Sequence, residues 1–291
     1  MNKKSAVFLI LLVSILISFN GLIIRNIENA DALLINVYRS IALVSSVSLF
    51  TILKTKNPFL HQIRAIGWPG ICGGFLLGGA NIFFLQAITN TSVANTLFTI
   101  SAIPFITALL AYIILKEKIE MITFFTMMSA AIGIYIMFGG RLDASEMYGN
   151  SMALLTAIVF ASWAIIARKY RAIDMIPTLI LAGVISGLIG FIMRFDNLGI
   201  SLNDMLLCFL LGGILSGIAN CGFIIASRYL VAAEVTLYMF VEFALGPVWV
   251  WLFANESITG ASLLGGSIIM LSVFICSIFQ LKNRKRIFSK F

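Results

Sequence analysis

The chain has few charged residues for its length. Only 11% of its 291 residues are Asp, Glu, Lys or Arg, whereas 60% are hydrophobic and the mean hydropathy is +1.05. A water-soluble domain of this size could not bury so large an apolar fraction in one core. The composition therefore excludes a soluble globular protein and predicts a chain that resides in a lipid bilayer.

Residue types that bind metals or act as nucleophiles are also scarce. Histidine occurs once, at His61 in a predicted loop, and the four cysteines all lie inside predicted apolar segments without CxxC spacing. The motifs HExxH and GxSxG are absent, and no acidic pair has metal-ligand spacing. We therefore predict no metal, no cofactor, no disulfide framework and no enzymatic activity.

Long hydrophobic runs recur along the whole chain. About 20 apolar residues are needed to cross the hydrocarbon layer as a helix, because each backbone amide must be satisfied within the segment. The first run could be a secretory signal peptide, but it lacks a small-residue cleavage site and is better interpreted as a membrane anchor. Ten membrane helices are predicted, at 5–24, 31–53, 66–88, 92–115, 121–140, 149–168, 175–194, 205–227, 232–254 and 259–280.

The basic residues are distributed unevenly between alternate loops. If the N-terminus is cytoplasmic, sixteen fall on the cytoplasmic side: Lys3, Lys4, Lys54, Lys56, Arg64, Lys116, Lys118, Arg168, Lys169, Arg171, Arg228, Lys282, Arg284, Lys285, Arg286 and Lys290. Only Arg25, Arg141 and Arg194 fall on the other side. Since cytoplasmic loops retain positive charge, both termini are predicted to be cytoplasmic.

This topology also accounts for the formal net charge of +8. Basic loops contact anionic lipid headgroups, so the charge requires no nucleic-acid partner. The predicted partners are the lipid bilayer and a small-molecule substrate, and the predicted assembly is a monomer or a homodimer.

The two halves of the sequence are similar to each other. When the chain is aligned with itself so that Gly73 falls on Gly212, ten identities occur without gaps between Gly73 and Glu117. The identities include glycines, the intramembrane pair Asn81 and Asn220, and the pair Glu117 and Glu256. Such residues are costly or conformationally special in lipid, so their coincidence indicates a repeat.

Each repeat holds five predicted helices, and five is an odd number. The second copy must therefore enter the membrane upside down relative to the first. The predicted fold is all-α and polytopic, with ten transmembrane helices in two inverted five-helix repeats at 1–140 and 141–291. Inverted repeats allow a central site to open to each side in turn, although a duplication retained only for packing is the alternative.

Three stretches of the sequence resemble the EamA-type branch of the drug/metabolite transporter superfamily. They are LFTISAIPFITALLAYIILKEKI at 97–119, ASWAIIARKY at 161–170 and EVTLYMFVEFALGPVWVWLFANESIT at 234–259. The resemblance implies a carrier of small metabolites in the bacterial inner membrane, often an exporter of amino acids, with a cavity between the halves. Many relatives place proline directly after the helix-nine glutamate, whereas Glu242 is followed by Phe243, and Pro247 implies a kink displaced by about one turn.

Polar residues recur every four positions on the ninth predicted helix. Glu234, Tyr238 and Glu242 would share one helix face. The alignment of the two halves maps Glu234 and Tyr238 to Asn95 and Thr99 on the fourth helix. Lipid is an unfavourable environment for such a stripe, so we expect these residues to line a shared, hydrated centre.

Glu242 is the strongest single candidate for substrate binding. Near mid-membrane its ionised carboxylate costs about 3 kcal/mol unless it is compensated. It could pair with Arg39 of the second helix, bind a cationic group of the substrate, or carry a proton. Arg39 could in turn bind a substrate carboxylate or Glu242 itself.

The remaining candidates are Asn81, Asn220 and Trp163. An amide at membrane depth requires a partner, which is either another helix or the substrate. Trp163 lies deep in the sixth predicted helix and would form an aromatic wall. Glycines one turn from each asparagine, among them Gly78 and Gly217, allow helices to pack closely or to slide.

A channel would require a continuous polar pore, whereas the polar residues of this sequence cluster near the middle of a few helices, as in a binding site. The first functional hypothesis is a secondary transporter that exports an amino acid or a similar metabolite by alternating access. Uptake of a cationic amine, such as a polyamine or a choline-like compound, is the alternative.

Overall fold

The computed structural model describes residues 1–55, 59–138, 143–170, 173–230 and 232–288. Within this part of the chain ten helices are long and apolar enough to span a membrane, which confirms the predicted number. They are α1 (Lys3–Arg25), α2 (Ala32–Lys54), α3 (Arg64–Asn90), α4 (Val93–Leu115), α5 (Met121–Phe138), α6 (Ala144–Lys169), α7 (Ile176–Met193), α8 (Leu202–Ser227), α9 (Glu234–Phe253) and α10 (Gly260–Lys282).

Some of the sequence-based predictions fall outside the described residues. Lys56, Arg141, Arg171 and Lys290 are among them, as is the predicted boundary between 140 and 141. The same holds for the side chains of His61, Arg284, Lys285 and Arg286.

Four of the spans are interrupted, and in α3 the break is at Gly67, whose backbone angles are φ 56° and ψ −163°. α1 consists of the helices Lys3–Ser18 and Asn20–Arg25, and α4 consists of Val93–Ile100 and Ile103–Leu115. α8 contains a π-helical segment, Leu210–Ile218, in its middle. Backbone carbonyls near such breaks are freed from the regular α-helical pattern, and breaks of this kind often occur at functional sites. By contrast, α9 is continuous through Pro247.

The N-terminal end of α6 lies at Ala144, before the predicted start at position 149. Asp143 accepts a hydrogen bond from the backbone N–H of Glu146 at 2.8 Å, and the Glu146 carboxylate accepts one from the backbone N–H of Asp143. This reciprocal capping box stabilises the first turn. The spacing Asp-x-x-Glu was present in the sequence and would have given the correct start.

Several contacts between the spans are related by an exchange of the first five spans with the last five. α5 packs on α10 and α2 on α7, and the contacts of α3 with α6 and α7 correspond to those of α8 with α1 and α2. The contacts of α4 with α6 correspond likewise to those of α9 with α1. If each span is replaced by the span five places away, each of these contacts therefore coincides with another contact of the same set or with itself.

Glycines allow the closest of these crossings. A Cβ atom added to Gly133 of α5 would lie 2.6 Å from the Gly265 carbonyl oxygen of α10, and one added to Gly265 would lie 2.4 Å from the Gly133 carbonyl oxygen. On α3, Gly74 and Gly78 contact α7. Larger residues would force these helices apart, so the small-residue spacing seen in the sequence contributes to packing.

α1 and α9 run side by side with a constant residue offset. Lys3 is paired with Glu234 at one end, Ser18 accepts a hydrogen bond from the Trp249 indole in the middle, and Arg25 bonds to Glu256 at the other end. All three contacts join residues 231 positions apart. The two helices are therefore parallel and in register over their whole length.

The C-terminal ends of α4 and α9 have the same backbone geometry. Lys116 and Asn255 are the two non-glycine residues with positive φ in the described chain, at 55° and 53°. The next residue, Glu117 or Glu256, donates its backbone N–H to a carbonyl six residues earlier. In each case a left-handed residue ends the helix, and the bond satisfies a carbonyl of its last turns.

Asp174 links three segments on the face of the bundle that contains the N-terminus, termed the N-terminal face. Its carboxylate contacts Arg228 at 2.6 Å and Lys54 at 3.4 Å. Burial alone would raise the pKa of Asp174, but the hydrogen bond from the backbone N–H of Ile176 and the charges of Arg228 and Lys54 outweigh it, so the pKa lies below its usual value.

On the other end of the bundle, termed the opposite face, Asp31 pairs with Arg194 and raises the pKa of that guanidinium above its usual value. Asp204, predicted to precede α8, is instead buried in the first turn of that helix. Its carboxylate accepts hydrogen bonds from the backbone N–H groups of Glu28 and Asn29. It thereby fixes the connection between α1 and α2.

Candidate solute-binding cavity

A cavity of about 160 Å³ lies between the two sets of five helices. Its wall is mostly apolar, with polar and charged side chains at a few positions. The polar and charged lining residues are Ser14, Asn20, Arg39, Asn81, Thr156, Trp163, Ser216, Asn220 and Glu242. A largely apolar cavity with a few fixed polar groups is typical of a small-molecule site.

Arg39 of α2 is buried in the cavity wall, with 6% of its surface exposed. Its Nε donates to Ser216 Oγ at 3.1 Å, and its Nη2 donates to Asn81 Oδ1 at 3.2 Å. Within the described residues no carboxylate lies at ion-pair distance from this guanidinium. Its position is therefore fixed by neutral groups while its charge remains uncompensated.

The backbone at Arg39 is held equally tightly. A Cβ atom added to Gly212, in the π-helical segment of α8, would lie 1.9 Å from the Arg39 carbonyl oxygen. Only glycine allows this approach of α8 to α2. The contact places Ser216, one turn later on α8, next to the guanidinium.

Glu242 of α9 faces the same cavity. In the part of the chain that the structure describes, its carboxylate makes no hydrogen bond and no ion pair, and in particular it does not pair with Arg39. A buried carboxylate is strongly disfavoured unless it is protonated or meets a partner. The cavity thus presents one unpaired acidic group and one unpaired basic group.

The two predicted asparagines have different surroundings. Asn81 of α3 accepts from Arg39, as described above, so it has an interhelical partner. Asn220 of α8 donates its Nδ2 to the Ser216 carbonyl of its own helix at 2.7 Å. Both residues line the cavity, and the side-chain oxygen of Asn220 remains available there.

Trp163 of α6 also lines the cavity. Its ring lies 5.1 Å from the ring of Phe160, centroid to centroid, and a Cβ atom at Gly73 would lie 3.2 Å from its Cδ1. Only 9% of the residue is exposed. The indole is therefore held in one orientation by its neighbours.

The other three predicted site residues lie outside the cavity lining. Tyr238 packs beside the cluster of Ala6, Ile10, Ala226 and Leu230. Thr99 is fully buried, and its hydroxyl has no partner among the described residues. The structure therefore does not place the polar residues of α9 together in the cavity. Glu234 pairs with Lys3, and Tyr238 packs against residues of α1 and α8.

Asn95 belongs to a buried polar network near the opposite face. Its Oδ1 accepts from Ser262 Oγ of α10, and its Nδ2 donates to Thr91 Oγ1 at 3.3 Å. Thr91 donates in turn to Asn150 Oδ1 of α6 at 2.8 Å. Both ends of the Asn95 side chain are therefore satisfied within the protein.

Sequence reasoning missed Ser14, Asn20, Thr156 and Ser216 as lining residues. Hydroxyl residues are common in membrane helices, where they bond to their own backbone, so composition gave no signal for the three hydroxyl residues. Asn20 was detectable in principle. It is an amide within the first predicted helix, and it follows the break in α1.

The lining residues recur at a constant spacing. On α3 and α8 the alignment that places Gly73 on Gly212 also relates Leu77 to Ser216, Asn81 to Asn220 and Phe84 to Phe223. The same alignment relates Ile100 to Met239 and Ile103 to Glu242 on α4 and α9. Corresponding positions of the two sets of helices therefore face the same cavity.

The chain is similar to known membrane transporters. The sequence profile of the EamA-like transporter family matches residues 4–139, which comprise α1 to α5. An uncharacterized transporter of Clostridium kluyveri is 25% identical over 235 residues, covering 76% of this chain and 74% of that protein. A solved crystal structure of another protein overlays with a TM-score of 0.69 at 16% identity, covering 96% of this chain and 99% of the other, and shows the fold alone.

Proposed function

Because the chain belongs to the EamA-like transporter family, whose members are membrane transporters and not enzymes, we propose that it exports a small zwitterionic metabolite, such as an amino acid, by alternating access. The observation that carries this proposal is the pair of uncompensated charges in one cavity. Arg39 and Glu242 both line it, and neither has an ion-pair partner in the described chain.

A zwitterion would compensate both charges at once. Its carboxylate would accept hydrogen bonds from the guanidinium of Arg39, and its ammonium group would donate to the carboxylate of Glu242. A ligand with a single charge would leave the other side chain unpaired in a mostly apolar cavity, which is unfavourable. The charge pattern therefore favours a solute that carries both signs.

The cavity wall favours a solute of small size and apolar body. Its volume of about 160 Å³ is suited to a small metabolite, and leucine, isoleucine, methionine and phenylalanine side chains provide most of the lining. Apolar walls bind an apolar side chain and exclude water from the two charged groups, which strengthens their interactions.

Uptake of a cationic amine is the second candidate. Glu242 and the aromatic residues Phe160, Trp163 and Phe223 would suit a cation. Arg39 faces the same cavity, however, and its charge would repel a monovalent or polyvalent amine. We therefore place the amine second, and the direction of export follows the resemblance of the sequence to metabolite exporters.

Alternating access would use two inverted halves, at 1–140 and 141–291. The proposal is supported by the exchange pattern of helix contacts, by the constant spacing between corresponding lining positions, and by the matching ends of α4 and α9. Two halves of like fold and opposite orientation can exchange conformations, so the cavity opens to one side and then to the other.

An ion pair at each end of the bundle is consistent with this mechanism. Glu256, after α9, pairs with Arg25 of α1 at the opposite face, and Glu117, after α4, pairs with Arg168 of α6 at the N-terminal face. The two pairs occupy corresponding positions of the proposed halves. Each would form when its own face closes and break when that face opens.

We further propose a bacterial cytoplasmic-membrane location with both termini in the cytoplasm, because basic residues predominate on the N-terminal face. The cavity is complete within one chain, so one protomer would transport whether or not two associate. Reporter fusions at residue 1 and residue 291 test the topology, since both must be active on the cytoplasmic side.

A binding screen tests the solute class. Purified protein is heated with L-amino acids, with amines and with sugars, and the melting temperature is recorded. A ligand that binds only the folded state raises this temperature, and at 100 times its Kd it adds about 2.7 kcal/mol to the stability. Stabilisation by amino acids supports the proposal, whereas stabilisation by amines alone favours the second candidate.

Transport by single variants tests the two charges. In vesicles loaded with the solute identified by the screen, Glu242→Gln and Arg39→Gln should each reduce transport about tenfold or more, because each loses a charge-assisted hydrogen bond. The double variant should transport no better than either single variant. Wild-type rates for Glu242→Gln, or recovery in the double variant, would contradict this assignment.

A further inference from the structure

Two polar atoms in the cavity wall have no hydrogen-bond partner in the part of the chain that the structure describes. They are the side-chain oxygen Oδ1 of Asn20 and the indole nitrogen Nε1 of Trp163. Both residues line the cavity. A buried donor or acceptor without a partner destabilises the fold, and such groups are rare unless they serve a purpose.

The two residues occupy corresponding places on α1 and α6. An alignment of the chain with itself that places Asn20 on Trp163 also places Ile17 on Phe160, and all four line the cavity. The same alignment relates Arg25 to Arg168, and each of these arginines pairs with a glutamate that ends a helix. One orphaned atom therefore comes from each set of five helices.

One of the two atoms is a hydrogen-bond donor and the other is an acceptor, and neither can exchange its role. The indole N–H of Trp163 only donates, and the carbonyl oxygen of Asn20 only accepts. Packing against Phe160 and Gly73 holds the indole, as described above. Asn20 begins the second part of α1 directly after Phe19, whose ring stacks on Trp249 with the centroids 4.8 Å apart.

Each atom can serve only one end of a zwitterion, because a carboxylate accepts from the indole N–H and an ammonium group donates to the amide oxygen. Trp163 packs in one cluster with Leu43, which follows Arg39 by about one turn of α2. Phe19, the neighbour of Asn20, packs against the cluster that contains Phe243, the neighbour of Glu242. Trp163 is thus a donor like Arg39, and the Asn20 oxygen is an acceptor like the Glu242 carboxylate.

We infer that Asn20 and Trp163 orient the solute, with Trp163 donating to its carboxylate and Asn20 accepting from its ammonium group. The inference rests on the proposed function and adds Asn20 to the site. It assigns one of the two residues to each end of a zwitterion, so that the solute binds in a single orientation.

The test uses two variants that remove the polar atoms and retain most of the side-chain volume, Trp163→Phe and Asn20→Leu. Trp68→Phe is the matched control, because Trp68 is 74% exposed and lies outside the cavity lining. The three probes share one apolar body and differ only in their charged groups. L-leucine has both groups, 4-methylpentanoate lacks the ammonium group, and 3-methylbutylamine lacks the carboxylate.

The melting temperature without a probe distinguishes a role in solute binding from a role in stabilising the fold. Removal of an orphaned polar atom should leave the melting temperature unchanged or raise it by a few degrees, since the folded state loses an unsatisfied group. A variant that melts several degrees lower than the wild type has lost a structural contact. That result would overturn the inference for that residue.

The affinities of the three probes then show which end of the solute each residue binds. Trp163→Phe should weaken binding of leucine and of 4-methylpentanoate roughly tenfold, about 1.4 kcal/mol, and leave 3-methylbutylamine unaffected. Asn20→Leu should weaken leucine and 3-methylbutylamine to the same degree and leave 4-methylpentanoate unaffected. Trp68→Phe should change none of the three.

The possible failures are distinct. If leucine binds the wild type and both variants equally well, the roles of Asn20 and Trp163 are wrong while the proposed zwitterion stands. If the two variants affect the same end of the solute, the assignment of one residue to each end is wrong, and the inference falls. If none of the probes binds the wild type, the proposed zwitterion falls, and the orientation assigned to these two residues falls with it.

Discussion

Glu256 and Arg25 form the centre of a compact set of bonds at the opposite face. The carboxylate accepts from Arg25 Nε at 2.7 Å and from the backbone N–H of Val93 at 2.6 Å, and Arg25 Nη2 donates to the Thr91 carbonyl at 2.7 Å. These bonds tie α1, α9 and the start of α4 together. The corresponding pair at the N-terminal face is a single contact between exposed side chains.

This difference predicts unequal effects of two matched substitutions. Glu256→Gln should lower the free energy of unfolding by about 1–3 kcal/mol, because it weakens charge-assisted bonds to two partly buried donors. Glu117→Gln should lower it by at most about 1 kcal/mol, since exposed ion pairs contribute little. Denaturation of both variants in the same detergent measures the difference, and equal losses would contradict it.

A second prediction concerns neighbouring glycines of α8. Gly212→Ala should destabilise the protein by about 1–3 kcal/mol, because the new methyl group would overlap the Arg39 carbonyl oxygen. Gly213→Ala is the control, since its nearest neighbours lie 3.8 Å away. Thermal unfolding gives both values. A Gly212→Ala protein as stable as Gly213→Ala would show that α2 and α8 are less tightly packed than described.

Asn95 is predicted to support the fold and to play no direct part in solute binding. Asn95→Ala leaves Ser262 and Thr91 with lost partners, so the free energy of unfolding should fall by about 1–3 kcal/mol while the affinity for leucine stays unchanged. Ser262→Ala removes one of the same bonds and should have a smaller effect on stability. A loss of affinity in Asn95→Ala at full stability would return this residue to the binding site.

Asp174 predicts a pH dependence of stability. Its pKa is lowered in the folded protein, so its contribution is present above the unfolded pKa and is lost as the pH falls through the folded value. Asp174→Asn should therefore cost about 0.2–1 kcal/mol at pH 7, with the small size set by solvent screening, and nothing at low pH. Unfolding of the wild type and the variant at pH 7 and at successively lower pH values checks that the difference between them shrinks as the pH falls.

Most of the fold was predictable from the sequence because lipid imposes strong rules. Hydrophobic length fixed the ten spans, and helix-end glutamates and intramembrane asparagines indicated that the halves correspond. The breaks at Phe19 and in the π-helical part of α8 were not predictable. They depend on contacts with other helices, such as the stacking of Phe19 on Trp249 and the approach of Gly212 to Arg39.

The candidate site was predicted in part, for a similar reason. Arg39, Glu242, Asn81, Asn220 and Trp163 line the cavity as expected. Tyr238, Asn95 and Thr99 do not, because the periodicity of a helix gives the shared face of its residues but not the neighbour that this face meets. On α9 the residues of the predicted stripe have different neighbours: Glu234 pairs with Lys3 of α1, whereas Glu242 lines the cavity.

The parallel pairing of α1 and α9 has a practical consequence. The two helices are joined at both ends and in the middle at the same offset of 231 residues, so they form a single two-helix strut while the opposite face is closed. Met1 lies at one end of this strut. A fluorophore or a spin label attached there would report tilting of the helix that carries Glu242, while every cavity side chain keeps its native chemistry.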